Sequence, residues 1–227
     1  MRWIAGTRLL NIRPYSADDR EALFRIAADT AFFGEPIEFY LEDRRVFLDG
    51  FYAYYTDYEA QHIWVGCDGD QVVGFLTGCL DSLKKEQIVR EKINRQLYWR
   101  LLRGYYHLGR HGRRYLWRVW LDMRDKKQPV VDLSQYPAHL HVNVDKNWRG
   151  FGIGSRLIKI FLEYLNVQHV PGIHLSTTSE NTAACRLYEK MGFELLFEYP
   201  LRHFEGLVNH PIHKRSYGLK IADQATN

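Results

Sequence analysis

Cysteine is scarce in this chain. The three among its 227 residues, Cys67, Cys79 and Cys185, lie far apart and form no CxxC pair. Neither a disulfide framework nor a cysteine-rich zinc site is supported, and a reducing cytoplasm suits them. Long apolar runs are missing as well. Nothing approaches the ~20 consecutive residues that a membrane span needs, and Met1-Arg2-Trp3-Ile4-Ala5-Gly6 is too short and too broken for the apolar region of a secretory signal. Internal repeats and low-complexity stretches are absent. What remains is an ordinary globular balance, 46% apolar and 26% charged, and a length that suits one domain over residues 1–227.

Acidic residues are also few in one particular place. From Lys84 to Lys127 fourteen basic residues face only Glu86, Glu91, Asp122 and Asp125, a net +10 that leaves −6 for the rest of a chain whose total is +4. Such segregation attracts acidic partners, whether phosphates, lipid head groups or a carboxylate-rich surface.

Apolar periodicity supplies the elements. Leu9 to Arg13 reads as a short strand stopped by Pro14, and Ser16 with Asp19 three residues later as the start of a helix to Ala28. Residues 30–58 are rich in aromatics, broken at Gly34 and Pro36 into a loop and a helix. Most of these rings belong to a core, and those beside the break are candidates to line a pocket. His62–Cys67 and Gln71–Cys79 flank Asp68-Gly69-Asp70 as a β-hairpin. In the basic segment Val89, Ile93, Leu97, Leu101 and Tyr105 recur every four residues, and Tyr115 to Met123 repeats the helical spacing. This predicts a helical insertion over 84–128; residues 222–227 read as a polar tail. After Pro137 follow a strand (His139–Val144), a glycine-rich turn, a helix with Ile153, Leu157, Ile158, Phe161 and Leu165 on one face, a strand at Ile173–Thr177, a helix at Asn181–Lys190 and a strand from Glu194. That order requires a crossover connection, hence a parallel pair in an α/β sheet.

Arg149-Gly150-Phe151-Gly152-Ile153-Gly154 sits between strand and helix. Its glycines let the backbone turn with N–H groups pointing into the bend, an anion site suited to a phosphate or pyrophosphate. The spacing fits neither a Walker loop nor GxGxxG. Together with Leu140-His141-Val142-Asn143-Val144 before it and Asn181 to Phe193 after it (NTAACRLYEKMGF), the segment resembles the general N-acetyltransferase (GNAT) superfamily. The His-Leu-His strand and its Pro137-Ala138 approach are also similar to the acetyltransferase-like domain attached to some O-GlcNAc hydrolases and to free-standing bacterial relatives.

The resemblance implies a mixed sheet splayed between the strand ending at Val144 and the one centred on Leu175, with acetyl-CoA in the gap. The amides of Gly150, Phe151, Gly152, Ile153, Gly154 and Ser155 would receive its pyrophosphate, flanked by Arg149. Backbone groups of Val142, Asn143 and Val144 would hold the pantetheine arm, and Asn181 would cap its helix or bond the arm. Tyr188 falls where the family places a donor to the thiol. A similar His-Leu-His in aralkylamine acetyltransferases is implicated in proton removal, which makes His139 and His141 candidate bases. Here the pair lies one residue nearer the glycine loop, an offset that reverses the presented face unless a β-bulge restores it. Rival bases are Glu180, His174 or a held water. A zinc site lacks a third ligand, so no metal is expected.

The function implied is acetyl-CoA-dependent N-acetylation of a primary amine on a small molecule or protein, with a catalytically weak binding or interaction module as the alternative. The acceptor site would draw on the Phe32–Tyr40 loop, the basic helices and the connection carrying His203, His210 and His213. The basic insertion reads as a helical hairpin packed over the sheet with solvated arginines outside, as a lid, which would favour an anionic acceptor, or as a docking surface for anionic membrane. Its interleaved aromatics would suit stacking on bases, but no base-reading motif accompanies them, so nucleic acid is disfavoured. A homodimer completes the range of partners.

Overall fold

The structure, a computed structural model, describes residues 2–5, 8–125 and 127–221; the polar tail at 222–227 lies outside the described residues. The strands are β1 (Arg2–Ala5), β2 (Arg8–Pro14), β3 (Ile63–Asp68), β4 (Gln71–Cys79), β5 (Ala138–Val144), β6 (Gly172–Thr178), β7 (Glu194–Leu201) and β8 (Ile212–Lys220). They form one sheet in the order β1-β2-β3-β4-β5-β6-β8-β7. Every described pairing is antiparallel except β5 with β6, the parallel pair that the crossover demanded.

Local sequence sets the first elements. Ser16 and Asp19 make a reciprocal capping box, which starts a short 3-10 turn that continues into α1 (Arg20–Asp29). Asp19 also pairs with Arg13 at 2.6 Å and so ties the helix start to β2. In the hairpin Asp68 pairs with Gln71, leaving Gly69-Asp70 as a two-residue turn with Gly69 at φ +56°.

Strand alternation then builds two cores. Val65 and Phe75 face α1 and the helix of residues 44–58, packing with Leu23, Ile26, Tyr54 and Tyr55. Leu76, Leu140 and Leu175 face the other side, against Leu157, Ile158 and Phe161 of α7 (Ile153–Val167) and against α8 (Thr182–Lys190). Gly78 of β4 lies directly under the Phe161 ring, where a Cβ would collide with it, so a glycine there lets α7 approach the sheet.

Two long helices depart from regular α geometry. Residues 44–58 form α2 (Arg44–Phe47) and α3 (Ala53–Tyr58) joined by a π turn at Leu48–Tyr52. Within the basic insertion α4 (Ser82–Ile88) and α5 (Asn94–Leu102) are joined by a π turn at Val89–Ile93, and α6 (Arg110–Met123) follows. The insertion therefore holds the helices its periodicity predicts, and its first helix begins at Ser82.

The stripe packs down on the body. Ile93 is buried, and Val89, Leu97 and Leu101 are half-buried against the first core. Tyr105 departs from the expected stripe: the helix ends at Leu102, Gly104 turns at φ +66°, and Tyr106 is buried while Tyr105 is exposed. Polar bonds reinforce the docking. Arg100 and the Tyr106 hydroxyl both reach Asp49, the latter at 2.7 Å, and the Gly112 amide donates to Glu42 at 2.9 Å.

Candidate active site

β5 and β6 pair only at Ala138↔Ile173 and His139↔His174. Beyond them β5 follows β4 to Val144, whereas β6 follows β8 to Thr178, so the sheet opens where the family resemblance implied its splay. The gap holds a cleft of ≈ 360 Å³. Its walls contain Val142, Asn143, Val144, Arg149, Gly150, Gly152, Ile153, Gly154, Ser155, Asn181 and Tyr188. Phe151 is the one anion-loop candidate outside the lining; its ring sits 6.2 Å from that of Trp148.

The loop geometry explains its glycines. Gly150 and Gly152 have φ of +83° and +78°, a left-handed region costly for other residues. An added Cβ would meet nothing within 4 Å at Gly150 and only Ser155 Oγ at 3.8 Å at Gly152. The backbone thus turns into open space at the N-terminus of α7, as an anion cradle requires. Arg149 donates to the Gly34 carbonyl at 2.8 Å and lies 3.4 Å from that of Val144, clamping the Gly34 loop to the cleft mouth.

Asp145 N–H donates to the Val73 carbonyl of β4, so by strand alternation the backbone groups of Val142 and Val144 point into the gap. The Asn143 side chain faces the other way: Oδ1 accepts from Tyr52 Oη at 2.9 Å and Nδ2 donates to Thr30 Oγ1 at 2.7 Å. Asn181 caps α8, its Oδ1 accepting the Ala184 amide at 3.3 Å. Tyr188 is buried, yet its hydroxyl makes no hydrogen bond among the described residues. Burial pushes that phenol above its usual pKa, keeping it a donor.

On the other side of the parting strands lies a second cavity, of ≈ 760 Å³, lined in part by His139, His141 and His174. The ladder of β5 with β4 runs from His139 to Val144 without a bulge. Both histidines of the pair still face this cavity, so the bulge considered from the sequence is not what presents them.

Hydrogen bonding separates their roles. Ser82 Oγ has one proton and gives it to the Pro137 carbonyl at 2.6 Å. It therefore accepts, at 2.8 Å, from His139 Nδ1. That leaves His139 Nε2 as a lone pair, which receives Tyr55 Oη at 2.7 Å and Lys85 Nζ at 3.0 Å. His139 is thus saturated. His141 makes ring contacts, edge-on to Phe51 at 4.7 Å, but no hydrogen bond among the described residues. Burial first, then the Lys85 charge, holds both imidazoles well below their usual pKa and so neutral. His174 donates Nδ1–H to the Tyr136 carbonyl at 2.8 Å.

Other expectations are corrected here. Glu180 pairs with His210 at 3.0 Å and lines neither cavity. Phe32 and Phe33 pack on Phe204 at ring distances of 6.3 and 5.0 Å, so Phe51 lines the cavity instead of the rings beside Gly34. Of the acceptor-side histidines, His203 lines it, held by Asp122 at 2.6 Å, while His210 and His213 do not. Sequence reasoning missed Ser82, Lys85, Tyr55 and Lys214. The spacing of Ser82 and Lys85, one helical turn apart just after Asp81, an N-cap residue, could have flagged the first two. No group of three His, Cys, Asp or Glu side chains arranged for a metal occurs among the described residues.

Known proteins share this architecture. The crystal structure of SsHAT is 31% identical, with a TM-score of 0.70 over 94% of this chain and 98% of that one. The structure of yncA from Salmonella typhimurium with its cofactor acetyl-CoA has a TM-score of 0.55 at 13% identity, covering 96% of each chain, a likeness of fold. A mycothiol acetyltransferase of Nocardiopsis dassonvillei is 41% identical over 54 residues, 24% of this chain and 16% of that protein. The chain spans well under two thirds of the length of the curated relatives it matches. The model of the acetyltransferase (GNAT) family matches residues 21–193; with that span and the splayed sheet, this chain belongs to the GNAT family.

Proposed function

We propose that this chain is an acetyl-CoA-dependent N-acetyltransferase that acetylates a primary amine. The observation that carries the reading is that β5 lines two cavities where it parts from β6, with the Tyr188 hydroxyl in one and the His141 ring in the other, neither hydrogen-bonded among the described residues. The open left-handed loop at Gly150 and Gly152 fits a pyrophosphate, and the free edge of β5 at Val142 and Val144 fits an extended amide-bearing arm.

Acetyl-CoA would supply the thioester carbon that the amine attacks. The residues of the chain then have separate tasks. The cations and low polarity around His141 favour entry of the amine uncharged. His141, neutral, takes the surplus proton of the attacking nitrogen as it turns positive; a nitrogen of that kind is acidic enough for a weakly basic imidazole. As the carbon–sulfur bond breaks, Tyr188 stabilises the developing thiolate as a hydrogen-bond donor, because its raised pKa disfavours giving the proton up outright. His139 touches none of the reacting atoms in this scheme. Its bonds to Ser82, Tyr55 and Lys85 fix the wall on which His141 stands.

The test follows free thiol release from acetyl-CoA with a panel of amines, beside calorimetry of acetyl-CoA itself. Amine-dependent release is expected. Binding with no turnover of any amine would sink the transferase reading and leave a binding module.

A further inference from the structure

We propose that the acceptor is a small primary amine that also carries an anionic group, carboxylate or phosphate, seated on Lys85 and Lys214 in the histidine cavity. The inference rests on the transferase reading and deepens it.

Both lysines line the cavity, Lys85 from the insertion and Lys214 from β8, and both are half-buried. Among the described residues neither pairs with a carboxylate. Lys85 bonds only to Tyr55 Oη at 2.8 Å and His139 Nε2 at 3.0 Å, with the Phe51, Tyr54 and Tyr55 rings about it. Lys214 has the Tyr199 ring 5.6 Å away. Partly desolvated ammonium groups are costly without a counter-charge. Burial lowers the pKa of both, that of Lys85 to about 8.

Both lysines stand on the wall that carries His139, His141 and His174, Lys85 Nζ 3.0 Å from His139 Nε2. The carboxylates of the cavity wall do not answer them. Asp122 is taken by the ring and amide of His203, and Glu86 is exposed, with exposed Arg90 also on the wall. A cavity with two inward lysines, neutral histidines and no free internal anion has a positive potential that an anionic ligand completes and a polyamine opposes. Because the same cations lower the pKa of an amine bound beside them, the acceptor's own nitrogen is kept neutral for attack.

Thiol release and equilibrium calorimetry are run in parallel on matched compounds: amino acids, their amides, the corresponding aminoalkylphosphonates, simple amines without the anion, and spermidine. Amino acids or phosphonates are expected to exceed their neutral analogues in kcat/KM roughly tenfold or more, the scale of one charge-assisted hydrogen bond. The better of the two classes names the anion. Lys214→Met and Lys85→Met should raise KM for the anionic compounds and erase the preference, Lys214→Arg should restore it, and acetyl-CoA affinity should stay unchanged. Faster turnover of neutral or cationic amines overturns the inference while leaving the transferase reading intact, and so does a preference that survives both lysine variants. If no amine is acetylated the transferase reading fails, and calorimetry then decides this inference alone. Carboxylates or phosphonates that bind through Lys85 and Lys214 support it, and their failure to bind in preference to the amides ends it.

Discussion

At the scale of single residues, the hydroxyl of Ser82 sets the division of labour between two histidines that look equivalent in sequence. Because its proton goes to Pro137, His139 must donate from Nδ1 and receive at Nε2, whereas His141 has ring contacts but no hydrogen bond among the described residues. His141→Ala is therefore expected to lower turnover by about 10² to 10⁴, the range of a positioned base, with acetyl-CoA affinity unchanged in calorimetry. The pKa of His141 is depressed, so the imidazole becomes protonated and useless as a base only at pH values below its ordinary 6.5. The acid limb of kcat at saturating amine should accordingly fall below that value, and an inflection at or above 6.5 would assign it to the bound amine or another group. Lys85 gives the opposite limb. It is charged below about pH 8 and neutral above, so binding of a simple carboxylate lacking an amine, followed by calorimetry, should weaken as pH rises through 8. The His-Leu-His pair was legible because strand alternation alone puts both rings on one face. Lys85 was not, because one desolvated lysine in a run of solvated ones differs only in what packs over it.

At the scale of elements, the glycine loop and the helix after it were readable because Gly150 and Gly152 answer a backbone need. Gly154 has ordinary φ and a Cβ added there would meet Leu187 Cδ2 at an ordinary 3.4 Å, so Gly154→Asp should fold yet abolish acetyl-CoA binding by calorimetry, placing charge beside the anion cradle. Unchanged affinity in a folded variant would remove the cradle from the scheme. The insertion offers a second test. Leu97 is half-buried, its Cδ2 lying 3.6 Å from where a Cβ on Gly50 would be. Leu97→Asp should cost roughly 2–4 kcal/mol in denaturant unfolding. An unaltered midpoint would mean that the stripe does not dock the insertion. β8 escaped sequence reading because its Ile-His-Lys-Arg-Ser-Tyr-Gly-Leu-Lys run has no alternation, being set between β6 and β7 with Ser216 and Tyr217 both buried. The π turns at Leu48–Tyr52 and Val89–Ile93 carry no sequence signature of their own.

At the scale of the whole molecule, part of the charge segregation is answered internally. The acidic stretch Glu42, Asp43 and Asp49 receives Gly112, the His107 amide and Arg100 of the insertion. A carboxylate-rich surface that the basic segment seeks is thus partly the chain's own. The parting of β5 from β6 has a different consequence. Two residue pairs are all the ladder that joins the five strands on one side to the three on the other, so the sheet has a seam where amides lack interstrand partners. In the free protein the amide protons of Val142 and Val144 should exchange with deuterated solvent far faster than those of β4. Bound acetyl-CoA should slow them and, at a hundredfold excess over its dissociation constant, add about 2.7 kcal/mol against unfolding. Protection that spreads evenly over the sheet, sparing these two positions, would show that the ligand does not close the seam. A ligand that does close it works as a removable strand, coupling the occupancy of the cleft to the cohesion of the two halves.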